Sequence, residues 1–297
     1  MKRNRKSKQP THGRKMISKQ QDIINRFFRN ANSVIGLIIV SIIILAAIFA
    51  DVLVDYETMV IKPDVMIRLQ KPSSAHLLGT DELGRDILAR LIYGSRMSLL
   101  IGVLSVCLSM SLAIIAGSTA GFFGGAVDNV IMRLCDILDG VPSFLMALTI
   151  TAAFGTTLFN LMLAIGLGAL PNLARVIRGH VITVKNEEYV EAGKALGARN
   201  WQIIYFHIIP NCVASIIVQF TLKISSGILQ ASTLSFLGLG VQPPDPEWGA
   251  MLSGGRTHLL DSPYLTLFPG LCIMLTILSF NMMGDGLRDA LDPKMKR

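Results

Sequence analysis

Residues 187–211 read EEYVEAGKALGARNWQIIYFHIIPN, a polar stretch set between apolar runs long enough to cross a bilayer. A few residues suffice to join two packed helices, so a stretch of this length has to be accounted for. From Glu188 to Leu196 the residues favour helix, with only Gly193 against it. Tyr189, Ala192 and Leu196 fall at helical spacing on one face, with Val190 and Ala195 beside it. Glu187, Glu188, Glu191 and Lys194 supply charge, and Gly197 permits a sharp turn. Trp201–Ile209 then restarts as an apolar helix, which Pro210 is expected to interrupt. The pattern predicts a short exposed helix with an apolar stripe, shaped to enter a groove on a partner. The plain alternative is a surface helix between two spans.

Working outward, the apolar runs predict six spans: about Val34–Val54, Ser98–Ala120, Val127–Thr151, Leu158–Val176, Cys212–Leu234 and Leu265–Gly284. Only 16% of the residues are charged and the mean hydropathy is +0.52, whereas soluble domains carry about 25% charge. The composition is that of an all-α polytopic membrane protein. The net charge of +8 does not indicate nucleic-acid binding, because ten of the 28 Lys and Arg lie in residues 1–32 with only Asp22 opposing them. That tail precedes the first span, so the positive-inside rule places it in the cytoplasm; contact with anionic membrane lipid is a secondary expectation. Six spans return the C-terminus to the same side. Four spans precede residues 187–211, which places that stretch inside too, among Arg175, Arg178, Lys185, Lys194 and Arg199. A cleaved signal peptide fits poorly, since the first apolar run is too long and no small-x-small site follows it.

The chain divides into a basic tail (1–32), a first span (33–54), an external segment with an interfacial helix (55–96), a core (97–286) holding the 187–211 loop, and a C-terminal tail (287–297). In the external segment, HLLGTDELGRDILARLIYGSRMSL (76–99) predicts a turn at Gly79, an N-cap at Thr80 or Asp81, and an amphipathic helix. Its Arg85, Arg90 and Arg96 are placed to reach lipid headgroups. Gly117, Gly121 and Gly125 recur at a spacing that allows close helix packing. In the third span Pro142 predicts a kink. Asp128, Arg133, Asp136 and Asp139 there read as a paired structural cluster, with Arg133 and Asp136 able to meet on one face. At the C-terminus, Gly284, Asp285, Gly286, Arg288, Asp289 and Pro293 are expected to break the last span at the interface.

The four cysteines, Cys107, Cys135, Cys212 and Cys272, have neither metal-ligand nor CxxC spacing and read as small buried hydrophobes. His207, near the end of the polar stretch, reads as a packing or docking residue; no histidine pair has metal-ligand spacing, and no metal site or catalytic residue is expected. The sequence contains no GxxxxGK[ST] phosphate loop, GxSxG or HExxH.

Glu191-Ala192-Gly193, then Gly197, then His207, Ile209 and Pro210 resemble the coupling-loop motif of binding-protein-dependent ABC importer permeases, a Glu-Ala-Ala triplet, a Gly and a closing Ile-x-Leu-Pro. The chain departs from it with Gly193 for the second Ala, His207 for the Ile and Ile209 for the Leu. Gly79-Thr80-Asp81 with Gly84-Arg85-Asp86 resembles the segment before the core in the dipeptide, oligopeptide and nickel branch, and Gly284, Asp285, Arg288, Asp289 and Pro293 resemble its closing segment. The chain is thus similar to the C-type permease of that branch over about residues 76–293. The resemblance implies a type I, MetI-like core with six transmembrane helices in the bacterial inner membrane. It implies as partners a homologous permease subunit, two cytoplasmic ATPase subunits that carry ATP and Mg, and an external solute-binding protein. Small peptides are the implied cargo, with nickel, glutathione or another small solute as alternatives. A secondary transporter or channel working alone would place ionisable groups near the midplane, and a membrane enzyme would need convergent catalytic side chains; the sequence favours neither.

Overall fold

The computed structural model describes the backbone of residues 12–291 and the side chains of residues 21–291; Pro293 and the basic residues Lys2–Lys8 lie outside them. The predicted N-terminal tail carries a helix, α1 (His12–Arg29). Asn30 separates it from α2 (Ala31–Ile48), its side chain accepting from the Asn32 amide at 3.1 Å. The apolar run of α2 is the first span, and the short α3 (Ala50–Leu53) completes it.

The second span begins far earlier than its apolar run. α4 (Ile87–Phe123) is a single helix, so the predicted interfacial helix and the span are one element. Its N-cap is Asp86, whose carboxylate accepts from the Ala89 amide at 2.8 Å, and not Thr80 or Asp81. The third span is broken. α5 (Gly125–Asp139) and α6 (Ser143–Phe154) meet at 78° across Pro142, a far sharper bend than a simple proline kink: Gly140 makes the last ladder bond of α5, to the Asp136 carbonyl, and Pro142 has no N–H to continue it.

α7 (Leu158–Val184) is capped by Thr157 and runs through Pro171. α8 (Glu188–Ala195) and α9 (Asn200–Ile203) carry the polar stretch, and α10 (Ile209–Phe236) is the fifth span. α11 (Trp248–Gly255) lies in what reads as a Gly/Pro-rich external loop. It is not a loose connection: Trp248 is buried and donates to the Leu91 carbonyl at 3.0 Å, and the fully buried Glu247 caps α11. α12 (Tyr264–Leu291) runs straight through Gly284, Asp285, Gly286, Arg288 and Asp289. Those residues do not break the helix. Gly284 instead lies against Leu222 of α10, and Gly286 lies where a methyl group would strike Ser33.

Among the described residues, five helices are long and apolar enough to cross a membrane, and the bent pair makes a sixth crossing if it counts as one. They run antiparallel, which fixes two ends. The proximal end gathers α1, the ends of α4, α7 and α12, and residues 187–211; the distal end gathers residues 55–86 and 237–263. Gly117 and Gly121 let α4 close on α7, a built Cβ falling 2.6 Å from the Ala174 carbonyl and 2.9 Å from that of Arg178. Gly125 does not join them; it has open space around it and serves the turn into α5.

Candidate functional site

The proximal element is built on a fixed inner face. Val190, Ile203, Ile208 and Cys212 are buried in one apolar cluster with Leu173, Ala174, Ile177 and Val181 of α7 and Met110 and Ala113 of α4. Burying four such side chains contributes on the order of 1.5–3 kcal/mol each for the larger ones, so the element moves with the spans rather than as a loop. The Lys194 ammonium lies 5.5 Å from the centre of the Phe122 ring at the end of α4.

Gly197 ends α8. Its φ of 82° is in the left-handed region, the Gly197 amide donates to the Lys194 carbonyl at 3.0 Å, and the Ala198 amide donates to that of Gly193 at 3.1 Å. These two bonds are the Schellman arrangement, which favours glycine at this position. α9 then passes into α10 through a single π-helical turn, Ile204–Ile208. Pro210 therefore does not interrupt the helix. Its missing N–H falls in the first turn of α10, the Ile209 amide reaches back to the Ile204 carbonyl, and the Asn211 amide group donates to the His207 carbonyl at 2.6 Å. Residues 200–236 thus form one rod joining the polar stretch to the fifth span. His207 lies within that turn, half-buried.

The opposite face is open. Tyr189, Leu196, Trp201, Tyr205 and Phe206 are exposed, Leu196 to 89%, with Glu187, Glu188, Glu191, Ala192, Lys194 and Arg199 around them. Contiguous aromatic and aliphatic surface rimmed by charge is the composition of an interaction site. Gly193 is buried on the inner side, yet a methyl group there meets nothing closer than the His207 Nε2 at 3.9 Å. Gly193→Ala is accordingly expected to stabilise α8 by about 0.5–1 kcal/mol, read as a rise in the unfolding midpoint with uptake unchanged.

At the distal end, the residues of the second motif form a buried polar knot. The Asp81 carboxylate accepts from the Leu83 and Arg85 amides, both at 2.9 Å, and from the Arg85 Nε at 2.7 Å; the Arg90 Nε lies 3.4 Å away. Arg90 also donates to the Val60 carbonyl at 2.8 Å, and Asp86 bonds His76 at 2.9 Å while capping α4. Thr80 donates to the Ile67 carbonyl and accepts from the Gln70 amide. Gly79 and Gly84 both have positive φ, and a methyl group on Gly84 would sit 1.8 Å from the Asp64 carbonyl oxygen. Arg85 and Arg90 are buried here, not turned to lipid headgroups, because their charge is met inside the protein. Arg96, about one-third exposed, instead pairs with the exposed Asp51 and donates to the Ile48 carbonyl at the end of α2. Nearby, burial and then the Asp245 carboxylate that accepts its hydroxyl at 3.0 Å push Tyr56 up to about 12.

The acids of the third span are paired, though not as their spacing suggests. Asp136 and Asp139 meet Arg175, and Asp128 meets Arg178 in a two-pronged pair with both contacts at 2.5 Å; Arg133 forms no ion pair with them. Asp128 and Asp139 lie about 16 Å apart along α5, yet their partners are only about 4.5 Å apart along α7. α5 must cross α7 steeply, which spacing within one helix cannot reveal.

An all-helical bundle with several apolar spans and an anchored, outward-facing helical pair at one end defines a multi-pass membrane component built to work with a partner. Residues 113–297 match the family described as binding-protein-dependent transport system inner membrane component, and residues 18–72 match the N-terminal transmembrane domain of oligopeptide transport permease C. The chain is 44% identical over 280 residues to a dipeptide transport system permease protein of Alkalihalophilus pseudofirmus, covering 94% of this chain and 91% of the relative. It is 42% identical to a glutathione transport system permease protein of Pectobacterium atrosepticum, covering 91% and 90% of the two chains. It is 41% identical to an oligopeptide transport system permease protein of Bacillus subtilis, covering 96% and 92%. The chain belongs to the family of inner-membrane permease components of binding-protein-dependent ABC importers.

Proposed function

We propose that this chain forms half of the translocation pathway for small peptides, handed over by an external binding protein and driven by ATP hydrolysed elsewhere. The reading of cargo rests on the dipeptide and oligopeptide permeases among its relatives; a glutathione permease at similar identity keeps glutathione as the second reading, and nickel stays a third. The other half of the pathway is a homologous permease subunit. Two ATPase subunits bind the proximal end from the cytoplasm and hold the ATP and Mg, which this chain has no phosphate loop to bind. Both termini face the cytoplasm.

The observation that carries the reading is the rigid rod of residues 200–236, anchored inside and bare outside. When the ATPase subunits close, α8 and α9 ride in a groove of one of them. Glu191 supplies charge at the rim, Ala192 keeps the outer face of the helix slim, Gly197 sets the turn, and the π turn at His207, Ile209 and Pro210 hands the motion to the fifth span. The complex expressed from its neighbouring genes tests this. Leu196→Asp is expected to release the ATPase subunits in detergent co-purification and to stop dipeptide uptake, while the second permease stays bound. Retention of the ATPase subunits with full uptake would remove the docking role.

A further inference from the structure

α10 carries a polar row through the bilayer: Gln219, Lys223, Ser226 and Gln230, at helical spacing on one side of an apolar span. Lys223 sits at the middle of α10, about 20 Å from either end, too far for its side chain to snorkel to an interface. It is half-buried and has no ion-pair partner among the described residues. An unpaired cation at that depth is costly and faces protein or water rather than lipid.

The row opens on a cavity of about 260 Å³ between α10, α7 and the α5–α6 bend, lined by Lys223, Ser226, Gln230, Asn172, Ser143 and Asp139 among others. Lys223 makes no ion pair with Asp139, whose Oδ2 takes both terminal nitrogens of Arg175 at 2.9 Å. Gln230 donates to the Ser143 hydroxyl at 3.4 Å, but its carbonyl oxygen is buried and unpartnered. The cavity therefore offers an unpaired cation, a carboxylate already held by Arg175, neutral polar groups at Asn172 and Ser226, and an orphan acceptor open to a donor such as an N–H. Toward the proximal end, Gln219 lines a second cavity of about 390 Å³ with His180 and Arg288. The polar row continues from one cavity to the next.

We propose that Lys223 is a specificity residue of the translocation path: it holds the free carboxylate of the passing solute at mid-membrane, and Gln230 accepts from an N–H of the same solute. This deepens the peptide reading and rests on it. Peptides and glutathione both carry a free carboxylate; a bare nickel cation does not, and Lys223 repels it.

The test uses the complete complex in liposomes, with uptake of a dipeptide and of its C-terminal amide, each at concentrations that saturate the binding protein. Lys223→Met is expected to lower the maximal rate for the free acid about tenfold, the loss of one charge-assisted hydrogen bond, and that for the amide less than twofold. Lys223→Arg is expected to keep at least half the wild-type rate, with assembly unchanged in both variants. Equal losses for acid and amide, no loss for either, or failure of Lys223→Met to assemble with the second permease would overturn the proposal, the last because the lysine would then be pairing with a partner carboxylate. If Lys223→Met does not reach the membrane, the acid-to-amide ratio of Lys223→Gln decides on the same criterion. Wild-type complex that moves no dipeptide at all sinks the peptide reading instead, independently of any variant.

Discussion

Asp81→Ala is expected to destabilise the distal end by about 3–5 kcal/mol, the cost of leaving a buried charge without its partner. The substitution takes the nearest anion from two guanidinium groups, since Arg85 and Arg90 are each about 5% exposed and both meet this carboxylate; only Glu82, 3.7 Å from Arg85, remains. It also frees the Leu83 and Arg85 amides that the carboxylate ties down. Unfolding of the purified subunit in mixed micelles with increasing SDS should show the loss as a lower midpoint. A control separates charge from packing. Replacing Asp81, Arg85 and Arg90 together by apolar residues of similar size should cost less than Asp81→Ala alone, because no unpaired charge is then left in the interior. A triple variant worse than the single one would mean that the knot works through its shape and not through its ion pairs.

Gly197→Val is expected to abolish uptake while the subunit still inserts and pairs with the second permease. Open space surrounds Gly197, so a side chain meets no clash. The penalty comes from the backbone: a φ of 82° costs a β-branched residue about 1–3 kcal/mol. The chain can relieve that strain by abandoning the Schellman turn, which swings α8 away from α9 and breaks the continuity between the exposed face and the rod of residues 200–236. Gly193, four residues earlier, is the contrast, for there the backbone is helical and alanine should help. Opposite outcomes at two glycines of one element would separate the geometry of the lever from its mere presence. Measuring uptake together with ATPase activity in the reconstituted complex checks this; wild-type uptake by Gly197→Val would show that the turn is not part of force transfer.

Much of this was legible in the residues themselves. The apolar runs placed the five unbroken spans to within a few turns, because a bilayer demands about 20 apolar residues and rejects charge. Gly197 announced a turn and was one. The boundaries failed where chemistry beyond the local sequence intervened. Polar residues Arg90 and Arg96 made the start of α4 look interfacial, whereas Asp81 neutralises Arg90 inside the fold and Asp51 pairs with Arg96 at the end of the first span. Pro210 looked like a helix stop, but a π turn absorbs it. Gly284 and Gly286 looked like breakers, but they lie where α12 packs on its neighbours, a methyl group meeting the Leu222 side chain at Gly284 and Ser33 of α2 at Gly286.

By itself, then, the amino-acid order determined the helical class, the membrane setting, the polar stretch at 187–211 and the kinship of its motifs, since these follow from hydrophobicity, helical periodicity and residue type along the chain. Only the tertiary structure decided which charges meet, how steeply α5 crosses α7, that the polar stretch is continuous with the fifth span, and that Lys223 faces a cavity with no ion-pair partner among the described residues. Pairing and exposure depend on which helices lie side by side, and that is set by packing between residues far apart in the chain.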